Sequence, residues 1–157
     1  MAGIIIKDDF LDPLLLTILY DRVLKDPMTY HAQSNDGQVL KFFQSPIELE
    51  TVHAEYLCRK FMTVTDKKIG FIRGYANIQF QNMNGDWHVD DGENTFLLML
   101  SETLEKGDGC FEIKDETSVD FVQNRCIMFD ATKPHRGLAS KKVLKPRVTL
   151  AFKSKGV

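Results

Sequence analysis

Two kinds of hydrophobic spacing divide this chain near residue 68. Ahead of that point, Leu15, Ile18, Leu19 and Val23 recur at helical intervals within 14–25, the stripe expected of a helix packed on one side. Asp12-Pro13 starts this helix as N-cap and first-turn proline, and Asp26-Pro27 ends it. Ser45-Pro46, with Glu48 three residues after the serine, repeats the starting signal as a capping box. It predicts a second helix to about Met62, burying Ile47, Val52, Tyr56, Leu57 and Phe61. Residues 28–44 are mixed, with a turn at Asn35-Asp36-Gly37 between short strands, and the β-rich stretch 3–7 reads as a first strand.

From Lys68 the character changes to β and stays there. A long strand or two cover 69–81, Asn84-Gly85 marks a turn, and a short strand carries His88 and Asp90. Further strands follow over 95–101, 109–114, 118–121, 125–129, 136–139 and 147–153, each separated by turn-type residues. Many short strands at this spacing predict a jelly roll, a mainly β fold of α+β composition, with the two helices buttressing one sheet. One domain is expected, with helical support over about 10–65 and the β core over about 68–154.

Composition narrows the function classes. At 157 residues, 43% apolar and 27% charged, the chain is an ordinary soluble globular type with enough length for a core. A net charge of −2 and a pI near 6.1 give no electrostatic case for nucleic acid. Ile4-Ile5-Ile6 is too short for a signal-peptide core, and no run approaches the ~20 apolar residues of a membrane span. Cys58, Cys110 and Cys126 are odd in number and widely spaced, which argues against a disulfide or zinc framework and for a reducing cytoplasm.

The candidate chemistry lies in the β half. Side chains at i and i+2 leave a strand on the same face, so His88 and Asp90 offer an imidazole and a carboxylate to one point. His135 is the only later histidine and sits in a loop after an apolar strand, placed to close on a metal held by the pair. Two histidines and a carboxylate, with the remaining positions open, form the facial triad of non-haem Fe(II) oxygenases. Arg147 and Thr149 share a face of the last strand and present a guanidinium and a hydroxyl to an anion, either a dicarboxylic co-substrate or an internal Asp or Glu. Asp91 and Trp87 face away from His88. His53 is read as a helix-surface or packing residue, Arg136 as a partner of substrate or of a surface acid, and Lys141 and Lys142 as a solvated turn.

Taken in order, His88-x-Asp90, Gly107-Asp108-Gly109 before Cys110-Phe111, Asn124-Arg125 before a strand ending in Phe129-Asp130, Pro134-His135 and Arg147-x-Thr149 resemble the 2-oxoglutarate/Fe(II)-dependent dioxygenases, and within them the prolyl 4-hydroxylase-like branch. The resemblance covers roughly residues 70–154. It implies a double-stranded β-helix of cupin-like type, with His88, Asp90 and His135 as iron ligands. Arg147, assisted by Thr149, would bind the distal carboxylate of 2-oxoglutarate. It further implies consumption of O2, release of succinate and CO2, ascorbate as an accessory reductant, and hydroxylation of a peptide or protein side chain, with proline the leading guess. A nucleobase-demethylating oxygenase and a non-catalytic metal- or acid-binding jelly roll are the alternatives. The chain departs from its relatives at Met99, where a tyrosine often helps to hold 2-oxoglutarate, and at Ile78 and Phe80, where a second is common. Thr95, Tyr75 and Gln79 are the nearest polar substitutes. Residues 28–44 and 91–94 are turn-rich candidates for a lid.

Overall fold

The computed structural model describes residues 3–39, 41–47, 52–66 and 68–156. Its first strand is β1 (Ile5–Lys7), followed by α1 (Pro13–Lys25), β2 (Thr29–Ala32), β3 (Phe42–Ile47) and α2 (Val52–Thr65). The β half then runs through β4 (Ile69–Gln79), β5 (Asn94–Met99), β6 (Phe111–Ile113), β7 (Thr117–Val119), β8 (Cys126–Asp130), β9 (His135–Gly137) and β10 (Arg147–Gly156). A seven-stranded sheet has the order β1-β8-β5-β10-β4-β3-β2, and a smaller sheet the order β7-β6-β9. All of the strand pairs are antiparallel. This is the expected double-stranded β-helix, with both helices against the larger sheet.

The first helix forms as its caps dictate. Asp12 accepts the Leu14 N–H at 2.9 Å, Pro13 opens the first turn, and Leu19 and Val23 are buried. Ile18, expected on the same stripe, is exposed.

The second helix begins later than its capping signal suggests. Ser45 and Pro46 belong to β3, where Ser45 pairs with Ala76 and Pro46 with Tyr75 of β4. On its other side β3 pairs with β2 only over Phe42 to Gln44. Past Gln44 it is therefore an edge, where proline's missing N–H leaves no ladder bond unmade. Glu48 and the side chains of Ile47, Val52 and His53 lie outside what is described. Leu57 and Phe61 are buried as expected, while Tyr56 is exposed.

The period-two alternation of β10 sorts the interior into two compartments. Val148, Leu150 and Phe152 face the helices, together with Ala76 and Ile78 of β4 and Phe96 and Leu98 of β5. Phe61 of α2 is their hub, with its ring centroid 4.2 Å from that of Phe96, 5.0 Å from Phe10 and 5.6 Å from Phe152. Asn124, at φ 65°, ties the N-terminal segment to this layer, accepting from Leu11 N–H at 2.9 Å and donating to its carbonyl at 2.8 Å. Arg147, Thr149, Ala151 and Lys153 leave the opposite face of β10, toward the smaller sheet, and there the packing opens into a cavity. No described helix is long and apolar enough to cross a membrane. The three cysteines are free thiols.

Candidate metal centre and anion pocket

His88 and Asp90 do not lie on a regular strand. His88 forms a single bridge with His135, each backbone N–H donating to the other's carbonyl at 3.1 and 2.9 Å, and the Asp90 N–H donates to Ala131 O at 2.9 Å. These few bonds suffice to bring the two histidines together, with ring centroids 4.3 Å apart. His135 opens β9 rather than sitting in a loop before it. Its ring is buried between Phe129 and Phe111, with centroids 4.6 and 5.7 Å away.

Each imidazole is oriented through its Nδ1. His88 Nδ1 lies 2.9 Å from Asp86 O and His135 Nδ1 lies 2.8 Å from Lys133 O. A carbonyl can only accept, so Nδ1 carries the proton in both rings and Nε2 keeps its lone pair. Those Nε2 atoms face one carboxylate, His88 at 3.6 Å from Asp90 Oδ1 and His135 at 3.2 Å from Asp90 Oδ2. One ligand atom from each of the three residues falls within 4.8 Å of the others. This is the donor set and outer hydrogen bonding of a metal site.

Asp90 is held further by Thr95, which donates to Oδ2 at 2.7 Å, and by the ammonium of Lys153, which contacts the same oxygen. Burial alone would raise the Asp90 carboxyl. The adjacent His135 ring and the Lys153 ammonium outweigh it and hold the group well below the ordinary carboxylate range. Burial, then the neighbouring His135, lowers the His88 imidazole, which favours its neutral form. Asp91 pairs with Arg73 at 2.7 Å on the exposed rim, so Asp90 is the carboxylate of the cluster.

Arg147 is 2% exposed, and it has no carboxylate partner among the described residues. Its Nε donates to Gly109 O at 3.0 Å and its Nη1 to Gln79 Oε1 at 2.6 Å. Nη2 and the Thr149 hydroxyl, also buried, have no hydrogen-bond partner among the described residues. Burial pulls the Arg147 pKa down to about 10, so it remains a cation at neutral pH. Two unspent polar atoms on one face beside a buried cation are what a carboxylate would satisfy. The cavity they share with the triad has a volume of about 480 Å³. That is within the range of pockets for small organic ligands.

Gly137, two residues past His135, admits the guanidinium. A Cβ there would stand 2.8 Å from Arg147 Nη1 and 3.0 Å from Cζ and Nη2. Gly137→Ala should therefore displace the guanidinium and weaken anion binding by about tenfold, on the scale of one charged hydrogen bond, while leaving metal affinity within about twofold. Calorimetric titration of the metal and of 2-oxoglutarate would separate the two.

Among the sequence-predicted residues, Tyr75 and Gln79 line the same cavity, but Gln79 spends its amide on Met83 O and Gly137 O and its carbonyl on Arg147. Thr95 lines the cavity as well, where its hydroxyl donates to Asp90. Met99 is fully buried in the second core, its sulfur accepting from Val122 N–H at 3.3 Å. Ile78 points into the helix-side core and Phe80 is exposed. Trp87 stacks under Arg136, whose guanidinium carbon is 4.3 Å from the ring centroid and whose Nε pairs with Glu112 at 2.7 Å. Lys153, Asn77 and Gln44 were not foreseen. The alternation that put Thr149 beside Arg147 also puts Lys153 on that face, and cross-strand pairing of Asn77 with Thr149 and with Gln44 places the other two.

No family model and no curated protein matches the sequence. Solved structures do match the fold. The viral collagen prolyl hydroxylase vCPH from Paramecium Bursaria Chlorella virus-1, in its 2OG complex, superposes with a TM-score of 0.74 at 14% identity over 97% of its own chain and 99% of this one. A Trichoplax adhaerens prolyl hydroxylase, in complex with a hypoxia inducible factor oxygen degradation domain peptide fragment, gives 0.75 at 13% identity over 83% and 97%. HygX from Streptomyces hygroscopicus, with nickel and 2-oxoglutarate bound, gives 0.75 at 9% identity over 81% and 96%. The chain thus has the fold of the 2-oxoglutarate/Fe(II) oxygenases, prolyl hydroxylases among them.

Proposed function

We propose that this chain is, over its whole length, a single-domain 2-oxoglutarate- and Fe(II)-dependent dioxygenase in which His88, Asp90 and His135 hold the iron and Arg147 with Thr149 binds the distal carboxylate of 2-oxoglutarate. The observation that carries this reading is one cavity containing three convergent metal-ligand atoms and, on the same wall, a buried guanidinium Nη2 and a hydroxyl with no partner. A structural salt bridge would have satisfied Arg147 within the chain. The bound metal and co-substrate would supply activation of O2, with conversion of 2-oxoglutarate to succinate and CO2 and of a substrate C–H to C–OH.

The chain's own residues do the rest. The Asp86 and Lys133 carbonyls fix the histidine tautomers, Thr95 and Lys153 orient Asp90, and Gln79 and Gly109 aim the guanidinium. Leu97, Phe111 and Phe129 give the metal side an apolar wall that keeps bulk water off. The substrate class we favour is a peptide or protein side chain, with proline first. The fold supports that choice, since two of the matched structures are prolyl hydroxylases and one of these holds a peptide fragment. A cytoplasmic setting suits a ferrous centre and free thiols.

Anaerobic titration with Fe(II) and then 2-oxoglutarate should produce a visible metal-to-ligand charge-transfer band. Admission of O2 should then release succinate. Metal binding without the band would sink the dioxygenase reading and leave a non-catalytic metal-binding jelly roll in its place.

A further inference from the structure

We propose that the outer lobe of the cavity reads the main chain of a peptide, with the paired amides of Gln44 and Asn77, joined by Gln33, hydrogen-bonding the substrate's peptide bonds. This rests on the dioxygenase reading and extends it from the oxidised side chain to the backbone that carries it. Register across the larger sheet builds the lobe. Thr149 of β10 lies opposite Asn77 of β4, Asn77 opposite Gln44 of β3, and Gln44 opposite Thr29 of β2. Thr149, Asn77 and Gln44 line the cavity, while Phe43, next to Gln44, packs on the helix-side core. A polar row thus crosses the sheet from the anion pocket to its outer strand. Strands stand about 4.8 Å apart, so three spacings make the row about 14 Å long, or about four residues of extended chain.

The row keeps hydrogen-bonding capacity that the chain itself leaves unused. Gln44 Nε2 donates to Asn77 Oδ1 at 3.2 Å. Asn77 Nδ2 then remains as a donor and Gln44 Oε1 as an acceptor, neither with a partner among the described residues. Turning both amides over exchanges these roles and still leaves one NH2 and one oxygen. A peptide bond presents the complement, one C=O and one N–H. Gln33, in the loop after β2, also lines the cavity and adds an acceptor. Its Nε2 donates to Asp36 Oδ1 at 3.4 Å, which fixes the amide, since the reverse orientation would set two oxygens together. Gln33 Oε1 is buried with no partner among the described residues, a state that a donated N–H relieves.

The fixed charges of the cavity lie elsewhere. Asp90, Lys153 and Arg147 belong to the metal and anion sites, and Arg73 at the rim is paired with Asp91 at 2.7 Å. A charged group brought against the amide row would lose hydration without meeting an opposite charge, so the row suits a neutral polar partner. A compact ligand would satisfy one end of such a row and leave the rest unpaired. An extended peptide repeats its C=O and N–H along the whole length. Beyond Gln44 the sheet ends at β2, its outer strand, so a chain lying along the row runs out to solvent without crossing another described strand.

The test uses the full chain loaded anaerobically with Fe(II) and 2-oxoglutarate, with the charge-transfer band as the check on loading. The probes are a mass-encoded pool of short proline-containing peptides, each matched with esters in which one backbone N–H is replaced by oxygen, and a parallel pool of neutral oligosaccharides. Bound members are read by equilibrium dialysis. Peptides should be selected over oligosaccharides, and the ester at one backbone position should bind about tenfold more weakly than the amide, the scale of an acceptor left unpaired. The double variant Gln44→Leu/Asn77→Leu should shrink that preference to about twofold or less while the band still forms. Gln33→Met, on a separate loop, should weaken selection of the same peptides by about three- to tenfold. Selection of no peptide, preference for oligosaccharides, equal binding of amide and ester, or a preference that persists in both variants overturns the inference and leaves the dioxygenase reading standing. A band lost only in the double variant assigns the pair to the co-substrate and likewise overturns it. Failure of the band in the wild type removes the dioxygenase reading, and the inference with it.

Discussion

His135→Ala should lower Fe(II) affinity by more than about 100-fold, since loss of an outer hydrogen-bond partner alone costs about 10–100-fold at such sites. The ring is doubly committed, with Nδ1 fixed on Lys133 O and Nε2 turned to Asp90, so no rotation of another group replaces the missing ligand. Thr95→Val gives the graded comparison. It removes only the 2.7 Å hydrogen bond to Asp90 Oδ2 and should cost about tenfold. Equilibrium dialysis of Fe(II) or Mn(II) against both variants reads the difference, with circular dichroism confirming that each is folded. Equal metal affinity in wild type and His135→Ala would remove the triad assignment altogether.

Arg147→Met should weaken co-substrate binding by roughly 30-fold or more while barely moving the stability of the metal-free chain. Removing one partner of a buried charged pair costs about 2–5 kcal/mol, or roughly 30-fold or more in the Kd of 2-oxoglutarate. Stability answers to two opposing effects. Burying the guanidinium is unfavourable, as its pKa near 10 reflects, and methionine relieves that. Against this, Gly109 O and Gln79 Oε1 lose their donor, at about 1–3 kcal/mol each. The two nearly cancel. Because the Arg147 pKa is lowered on folding, its penalty applies in full below about pH 10 and is relieved only above it. Neutral buffers therefore report the charged residue throughout. At 100 times its Kd, 2-oxoglutarate with metal should raise the wild-type Tm by about 5–10 °C and that of Arg147→Met by about 3 °C or less. A comparable shift in the variant would show that the co-substrate binds elsewhere.

The sequence exposed most of the β architecture because β5, β8 and β10 are buried on both faces and read as short, β-rich runs bounded by turn-type residues. It misled at Ser45-Pro46, where cap, proline and Glu48 imitate a helix start, because nothing local reveals that β2 pairs only as far as Gln44 and leaves an edge that tolerates proline. The triad was readable from residue type, yet its geometry is not the expected strand. One bridge and two backbone carbonyls do what a ladder was expected to do. Arg147 and Thr149 were visible as a same-face pair. Lys153 was passed over because a lysine at a predicted strand end usually reaches solvent, whereas β10 continues to Gly156 and keeps that position inside. Met99, which stands where a tyrosine was expected, serves the second core rather than the cavity.

The internal pairing of Asp90 with Lys153 and Thr95 has a consequence for how the protein is assembled. Small metal domains often need the ion to fold, since their ligands have no other partners. Here every ligand is already committed to the chain, the imidazoles through Nδ1 and the carboxylate through an ammonium and a hydroxyl. Folding therefore does not wait on an ion at this cluster, and a bound metal would be a replaceable part. A metal lost or oxidised there would be reloadable in place, without the chain passing through an unfolded state that would be open to aggregation or proteolysis.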